Sequence, residues 1–199
     1  MSERAAVLRE IGKPLQLEQI ELAPIAPDQV RVRIAASGVC HSDLSQATGA
    51  LPAGTPCVLG HEGAGVVEDV GAEVHHVKPG DHVVIAWTAA CHHCWFCLHG
   101  EQHLCQNSVA DSYSMPYATD SEGTPLYTSV GVSSFGTATN CLGRAVVPIH
   151  GDIPLDIASL IGCGVATGAG AAFNTAPVEH GSAIAVIGLG GVGLASLMA

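Results

Sequence analysis

The chain has 199 residues, of which 48% are hydrophobic and 13% are charged. This composition supplies enough apolar material for a packed core and differs from that of a disordered protein. The 7 Lys and Arg residues against 18 Asp and Glu residues give a formal net charge of -11 at pH 7. Such a charge repels nucleic-acid phosphates and anionic membrane surfaces, so neither is an expected partner.

The chain carries no recognisable export signal. Residues 1–10 mix charges with short apolar stretches and lack a hydrophobic segment with a cleavage site. Residues 182–199 are uncharged and reach the lower length limit for a membrane span, but their four glycines favour a strand, a glycine turn and a helix start instead. We therefore expect a cytoplasmic protein with no membrane partner.

Residues 5–87 contain short β-type runs separated by Gly and Pro. The alternation Val-Arg-Val-Arg-Ile at residues 30–34 predicts a half-buried strand. Further strands are predicted over residues 66–70, ending at Gly71, and over residues 82–86, after a turn at residues 78–81. This half is predicted to be mainly β, as a Greek-key barrel or sandwich.

Residues 91–139 lack this periodicity and are rich in Cys, His, Ser, Gly and Thr. Such a composition predicts a lobe that is held together by a metal rather than by a hydrophobic core. After residue 152 an Ala- and Gly-rich, helix-compatible sequence extends to residue 172, and residues 182–187 form a candidate buried strand. We predict one domain over residues 1–152, with the lobe over residues 88–140, and a second unit over residues 153–199.

Four cysteines of the lobe follow the spacing Cys-x2-Cys-x2-Cys-x7-Cys. They are Cys91, Cys94, Cys97 and Cys105. Four thiolates within one loop can converge on a single tetrahedral ion, which predicts a structural zinc site. The alternative is an iron–sulfur cluster, but ferredoxin runs place the fourth cysteine closer and follow it with proline, whereas Gln106 follows here. The histidines of this segment are expected to be exposed residues rather than ligands: His92, His93, His99 and His103.

Three further motifs occur in the chain. They read Gly-Val-Cys-His-Ser-Asp at residues 38–43, Gly-His-Glu-Gly-Ala-Gly at residues 60–65 and Gly-Cys-Gly-Val-Ala-Thr-Gly at residues 162–168. Together with the four-cysteine spacing, and in this order, they resemble the zinc-dependent medium-chain alcohol dehydrogenase family. The resemblance covers essentially the whole chain. It implies a mainly β GroES-like barrel domain with a zinc-binding lobe, followed by the truncated start of an α/β Rossmann domain.

The same resemblance implies a second, catalytic zinc site with the Cys2His ligand set of an open site. Its ligands would be Cys40, His61 and Cys163. Asp43 would orient the ring of His61, and Glu62 would lie behind the metal as an electrostatic modulator or a transient ligand. Ser42 would take the proton from the bound alcohol.

Several positions bear on the cofactor and the substrate. Ser45 stands where relatives often have a relay histidine, so water would complete the relay. His41 takes the place of a basic residue near the cofactor pyrophosphate and should hold the cofactor less tightly than arginine would.

By resemblance Trp87 and Leu51 line the alcohol pocket, and the tryptophan narrows it toward primary alcohols or small aldehydes. Glutathione-dependent formaldehyde dehydrogenases of the family have an arginine where this chain has Val109, which weakens, without excluding, a thiol-adduct substrate.

A Gly-x-Gly-x-x-Gly turn lies between the candidate strand and the last helical segment. It comprises Gly188, Gly190, Gly191, Val192 and Gly193. In this context the pattern predicts a dinucleotide site with the pyrophosphate at the helix N-terminus. By resemblance Thr167 and Val192 would also touch the nicotinamide. The glycine pattern does not indicate whether the cofactor is NAD or NADP.

The sequence thus predicts zinc-activated oxidation of an alcohol with hydride transfer to NAD or NADP, with two Zn2+ ions per chain. The chain is expected to be an incomplete piece that is inactive alone and forms a homo-oligomer when complete. Small alcohols or aldehydes are the expected partners. Two alternatives remain open: a thiol-adduct (S-hydroxymethyl) formaldehyde dehydrogenase and an inactive zinc-stabilised β domain.

Overall fold

The computed structural model describes residues 3–108, 116–176 and 178–199. Its strands are β1 (Glu3–Leu8), β2 (Gln16–Leu22), β3 (Gln29–Gly38), β4 (Cys57–Val58), β5 (Glu62–Val70), β6 (His82–Ile85), β7 (Pro116–Asp120), β8 (Pro125–Thr128), β9 (Ala138–Leu142) and β10 (Val146–Pro148). Its α-helices are α1 (His41–Thr48), α2 (Trp95–Leu98), α3 (Leu155–Ala158), α4 (Gly164–Gly170) and α5 (Gly191–Met198). Short 3₁₀ turns cover Gln102–Leu104, Gly143–Ala145 and Ser159–Gly162, and a π turn covers Ala171–Thr175.

Two five-stranded layers form the β domain. One closes into a barrel in the order β1-β2-β7-β8-β4, and the other has the order β10-β6-β5-β3-β9. Neighbouring strands are antiparallel except for β4 and β8. Residues 134–137 connect the layers, because Phe135 accepts from the Ala6 N–H at 2.9 Å and Thr137 accepts from the Ile34 N–H at 3.0 Å.

The central strands have the periodicity that the sequence predicted. In β3, Val30 and Val32 are fully buried and alternate with partly exposed arginines, so the predicted strand is confirmed. The predictions over residues 66–70 and 82–86 are confirmed within β5 and β6. The turn before β6 is closed by a hydrogen bond from the Asp81 N–H to the Lys78 carbonyl at 3.1 Å. These strands pack valine and isoleucine side chains into one core.

The sheets extend into the range that the sequence assigned to the metal lobe. Strands β7, β8 and β9 pair with β2, β4 and β3, so much of residues 116–142 belongs to the sheets. The alternation of polar and apolar residues that predicts a strand is weak in this part of the sequence, because some of its buried residues are polar. Thr139 donates to the Val132 carbonyl at 2.7 Å, and Asn140 donates to the Ala23 carbonyl at 2.8 Å. Because their polar groups are satisfied, these side chains can occupy core positions.

The segment after residue 152 has part of the predicted secondary structure. The helix-compatible stretch after residue 152 contains α3 and α4, and α5 begins directly after the glycine turn. The predicted strand over residues 182–187 is wrong, because these residues have no strand pairing and both Ile184 and Ile187 are exposed. A buried strand needs neighbouring strands to satisfy its backbone, and the described residues provide none there.

In the described part of the chain, no single helix has the length and apolar composition of a membrane span. Two consecutive helical stretches, Leu155–Gly162 and Gly164–Thr175, meet these criteria only together, and they are bent by 53°.

Candidate metal centres and cofactor turn

The four lobe cysteines form one compact cluster. They are Cys91, Cys94, Cys97 and Cys105, and their sulfur atoms all lie within 4.8 Å of one another. The Cys91 and Cys97 sulfurs are 3.9 Å apart, and all four residues are buried free thiols. A tetrahedral site with Zn–S bonds of about 2.3 Å has S–S edges of about 3.8 Å. The cluster therefore has the size and chemistry that fit a zinc ion.

Backbone N–H groups favour the ionised form of Cys91. Burial by itself raises the pKa of this thiol, but hydrogen bonds from the backbone of His93 and Cys94 outweigh that effect and lower the pKa to about 6. For Cys97, burial and the neighbouring Cys94 thiol raise the pKa to about 11. A shared cation would stabilise the thiolate form of every member.

Two lobe histidines have their ring nitrogens engaged elsewhere. The His93 Nδ1 lies 2.8 Å from the Cys91 carbonyl oxygen, and the His99 Nδ1 lies 2.7 Å from the Trp95 carbonyl oxygen. The ring of His99 also stacks on Trp95 at a centroid distance of 4.2 Å. Among the described residues, neither imidazole is grouped with the four thiols as a candidate ligand.

A second cluster joins residues that are far apart in the sequence. It comprises Cys40, His61, Glu62 and Cys163, whose candidate ligand atoms also lie within 4.8 Å of one another. Cys40 precedes α1, His61 directly precedes β5, Glu62 is the first residue of β5, and Cys163 precedes α4. The β sheets and the helical segment after residue 152 thus both contribute to this cluster.

Asp43 holds the second cluster in place. Its Oδ1 accepts from the Gly60 N–H at 3.0 Å and lies 3.1 Å from the His61 Nδ1, while its Oδ2 accepts from the Cys40 N–H at 3.0 Å. Burial lowers the pKa of His61, but the hydrogen bond and charge of Asp43 outweigh it, so the pKa is raised. With Nδ1 bound to Asp43, Nε2 is the ring nitrogen left for a metal.

The two thiols of this cluster differ in acidity. Burial raises the pKa of Cys40, but hydrogen bonds from the Ser42 backbone and hydroxyl outweigh it, so the net pKa is lowered. Burial, followed by the negative charges of Cys40 and Glu62, raises the pKa of Cys163 to about 12. Several acidic groups around one point become compatible when they share a cation. The donor set therefore fits zinc in a Cys2His site.

A cavity of about 620 Å³ opens next to the second cluster. Ser42, His61 and Cys163 line it on the cluster side, and the predicted Trp87 and Leu51 also line it. Gln46, which is not among the residues predicted from the sequence, lines the same cavity. Its signal was its position four residues after Ser42 on α1, because positions i and i+4 share a helix face.

The structure places the remaining predicted residues around this region. His41 is exposed at the start of α1, with its Nδ1 3.4 Å from the Ser45 hydroxyl. Thr167 is exposed on α4. Next to it Gly168 lies so close to α5 that a Cβ atom would overlap the Val192 carbonyl. Val109 lies outside the described residues.

The glycine turn has the compactness that its sequence pattern requires. Gly188 has a φ of 94°, a conformation that favours glycine. A Cβ atom at Gly193 would overlap the Gly188 carbonyl, whereas Gly190 and Gly191 face open space. The open side of the turn meets the N-terminus of α5, where backbone N–H groups favour anionic ligands.

Comparisons with known proteins agree with these observations. Alcohol dehydrogenase class-3 from Pisum sativum is 44% identical over 199 aligned residues, which cover 96% of this chain and 53% of that protein. The Drosophila melanogaster alcohol dehydrogenase class-3 is 45% identical, and the alignment covers 96% of this chain and 52% of that protein. The chain thus spans about half the length of the curated relatives it matches.

Solved structures show the same fold. An alcohol dehydrogenase zinc-binding domain protein from Burkholderia ambifaria superposes with a TM-score of 0.93 at 36% identity, covering 100% of this chain and 55% of the other. Benzyl alcohol dehydrogenase from Acinetobacter calcoaceticus superposes with a TM-score of 0.88 at 32% identity, with the same coverage. The predicted mainly β GroES-like fold is confirmed.

The profile of the alcohol dehydrogenase GroES-like domain matches residues 26–149, which is more than half of the chain. This range contains the four lobe cysteines, Cys40, His61 and most of the strands. The chain therefore belongs to the alcohol dehydrogenase GroES-like domain family.

Proposed function

We propose that this chain is the metal-binding half of a zinc-dependent dehydrogenase, which oxidises an alcohol and transfers hydride to NAD or NADP. The observation that carries this proposal is the convergence of Cys40, His61 and Cys163 at one side of a largely apolar cavity. The same cavity contains Ser42 and Trp87. Convergent ligands beside an apolar pocket are typical of a catalytic metal site.

Each residue near the cavity has a distinct part in this proposal. Cys40, His61 and Cys163 would hold Zn2+, which when bound supplies the Lewis acidity that lowers the pKa of an alcohol hydroxyl. Ser42 accepts the proton of the alcohol at its Oγ. Asp43 keeps the His61 ring in the orientation that directs Nε2 toward the cavity.

The proton leaves the cavity along α1 in this account. Ser45 lies one helical turn beyond Ser42 and touches His41 at 3.4 Å. The hydroxyl groups of Ser42 and Ser45 are weaker bases than an imidazole. In this proposal, water therefore carries the proton from Ser42 to the exposed His41. His41 therefore has a second use in addition to facing the cofactor pyrophosphate.

The four lobe cysteines would hold a second Zn2+ with no open position. Such a site contributes to folding rather than to catalysis. Among the described residues, the apolar side chains packed around the four cysteines are Ala90 and Phe96. The metal would therefore be its main source of stability.

A thiol-adduct formaldehyde dehydrogenase is the second candidate, and the class-3 names of the curated relatives favour it. An adduct of glutathione carries carboxylates that need cationic partners. The cavity lining in the described part of the chain contains neither Lys nor Arg, and Leu51, Pro52, Ala53 and Val130 make its walls apolar. This lining favours an uncharged alcohol.

The test is the rate of NAD and NADP reduction by the full-length, zinc-loaded protein that contains this chain. Benzyl alcohol, ethanol and formaldehyde with glutathione are offered in turn. We expect oxidation of an uncharged alcohol, its loss in Cys163→Ser and its retention in Cys57→Ser, a buried thiol outside both clusters. Turnover of the thiol adduct alone would select the second candidate, and turnover of none would contradict both.

A further inference from the structure

Gln46 lies between two apolar walls of the cavity. The side chain is buried at 5% exposure and both ends of its amide are bonded. Its Oε1 accepts from the Ser129 hydroxyl at 2.7 Å, and its Nε2 donates to the Pro52 carbonyl at 3.3 Å. One side chain therefore joins α1 both to the segment that directly follows it and to Ser129, which is distant in the sequence.

The first wall is the segment that follows α1. Leu51, Pro52, Ala53 and Gly54 line the cavity and form neither helix nor strand. Within the described chain, the bond from Gln46 is the one hydrogen bond that reaches residues 52–55. Leu51 is itself held to α1 by its N–H bond to the Ser45 carbonyl at 3.0 Å, so the Gln46 bond acts on the exposed residues that follow Leu51.

The second wall is Val130, which directly follows Ser129. Val130 has a φ of 46°, a strained conformation for a β-branched residue. Such a conformation persists only where the surrounding structure enforces it. Ser129 is 2% exposed and is held by its N–H bond to the Val58 carbonyl at 3.0 Å and by its hydroxyl bond to Gln46.

We propose that Gln46 is a positioning residue that sets the separation of these two walls and thereby determines which alcohols the cavity accepts. The inference rests on the proposed function, because it assigns the cavity to an alcohol. Ser42, Leu51 and Val130 line the same cavity, so we expect an alcohol with a large apolar body to contact both walls when its hydroxyl lies near Ser42. We expect the binding of a short alcohol to depend less on the separation of the walls.

The experiment measures the binding of benzyl alcohol and 1-propanol to the zinc-loaded protein by NMR titration. The variants are Gln46→Met, which keeps the side-chain length and removes both bonds, and Ser129→Ala, which removes one. Thr48→Val is the matched control. It also removes a side-chain hydrogen bond on α1, but its bond to the Leu44 carbonyl lies on the exposed surface. Thermal melting of each variant monitors its folding.

We expect Gln46→Met to weaken benzyl alcohol binding about fivefold, as for the loss of a buried hydrogen bond. Ser129→Ala should weaken it less, and the double variant should match Gln46→Met because the same link is lost. Binding of 1-propanol should change less than twofold in every variant, and Thr48→Val should change neither alcohol.

Equal effects on both alcohols, or no effect on benzyl alcohol, would overturn the inference, as would a wild-type protein that does not bind benzyl alcohol. If Gln46→Met does not fold, Ser129→Ala decides by the same criterion. Turnover is measured separately. Selective binding without oxidation of either alcohol would contradict the proposed function and leave the role of Gln46 in place.

Discussion

The carboxylate of Glu62 accepts a hydrogen bond from the backbone N–H of Gly164 at 3.2 Å. Glu62 begins β5 and Gly164 begins α4, so this bond joins the β domain to the second unit directly beside Cys163. On its other side the carboxylate lies against Gly38, where a Cβ atom would overlap the Glu62 Oε2. Glu62 thus fixes the turn that carries Cys163 relative to Cys40 and His61.

Gly38→Ala should therefore displace the Glu62 carboxylate and disturb the second cluster. Inserting a methyl group into such a packed site costs about 1–3 kcal/mol, which for a chain of this size corresponds to a fall in Tm of roughly 2–10 °C. We also expect weaker zinc binding at Cys40, His61 and Cys163. Calorimetry and chelator competition measure the two effects. Gly151→Ala is the control, because a Cβ atom there meets nothing within 4 Å, and equal effects of both substitutions would contradict this account.

Asp43→Asn should weaken metal binding without removing a candidate ligand. The variant loses the negative charge that faces the His61 Nδ1. The two Asp43 oxygens serve three hydrogen bonds, whereas an asparagine amide has one acceptor oxygen and cannot accept all three. Loss of such a partner typically reduces metal affinity about 10–100-fold. Competition with a chelator gives the affinity, and the cluster of four lobe cysteines serves as the internal reference. Unchanged affinity at the second cluster would show that His61 keeps its orientation by other contacts.

Arg9 and Asp120 should give the β domain a measurable pH dependence. The Arg9 Nη2 donates to the Asp120 Oδ2 at 2.7 Å, and this bond, followed by the Thr124 N–H, lowers the pKa of Asp120 to about 2. Since the unfolded pKa is about 3.9, the pair stabilises the fold above about pH 4, and this contribution is lost as the pH falls toward 2.

The corresponding variant is Arg9→Met. Its urea midpoint should lie below that of the wild type by a constant amount between pH 7 and pH 5, and the difference should shrink at pH 3. Lys78→Met is the control, because the Lys78 side chain is 80% exposed in its ion pair with Asp81 and should contribute little. A difference for Arg9→Met that stays constant down to pH 3 would contradict the assignment.

The sequence predicted the candidate metal residues better than it predicted the elements around them. Thiol spacing reports directly on metal binding, so Cys91, Cys94, Cys97 and Cys105 could be grouped without a fold. The resemblance brought Cys40, His61 and Cys163 together across loops, and the structure places them in one cluster. Their roles as zinc ligands stay predictions.

Other features depend on tertiary contacts that a sequence pattern does not carry. Thr139 and Asn140 look like loop residues until their hydrogen bonds within the β domain are known. Residues 182–187 have the composition of a buried strand, but a strand forms only where a neighbour pairs with it. Gln46 has no motif, and its importance follows only from the two segments that it joins.

The most direct test of the account is the number of zinc ions bound per chain, measured by native mass spectrometry. We predict two ions in the wild type, one in Cys97→Ser and one in Cys163→Ser. Cys57→Ser, at a buried thiol outside both clusters, should keep two. Fewer than two ions in the wild type, or two ions retained in either ligand variant, would contradict the assignment of two separate zinc centres.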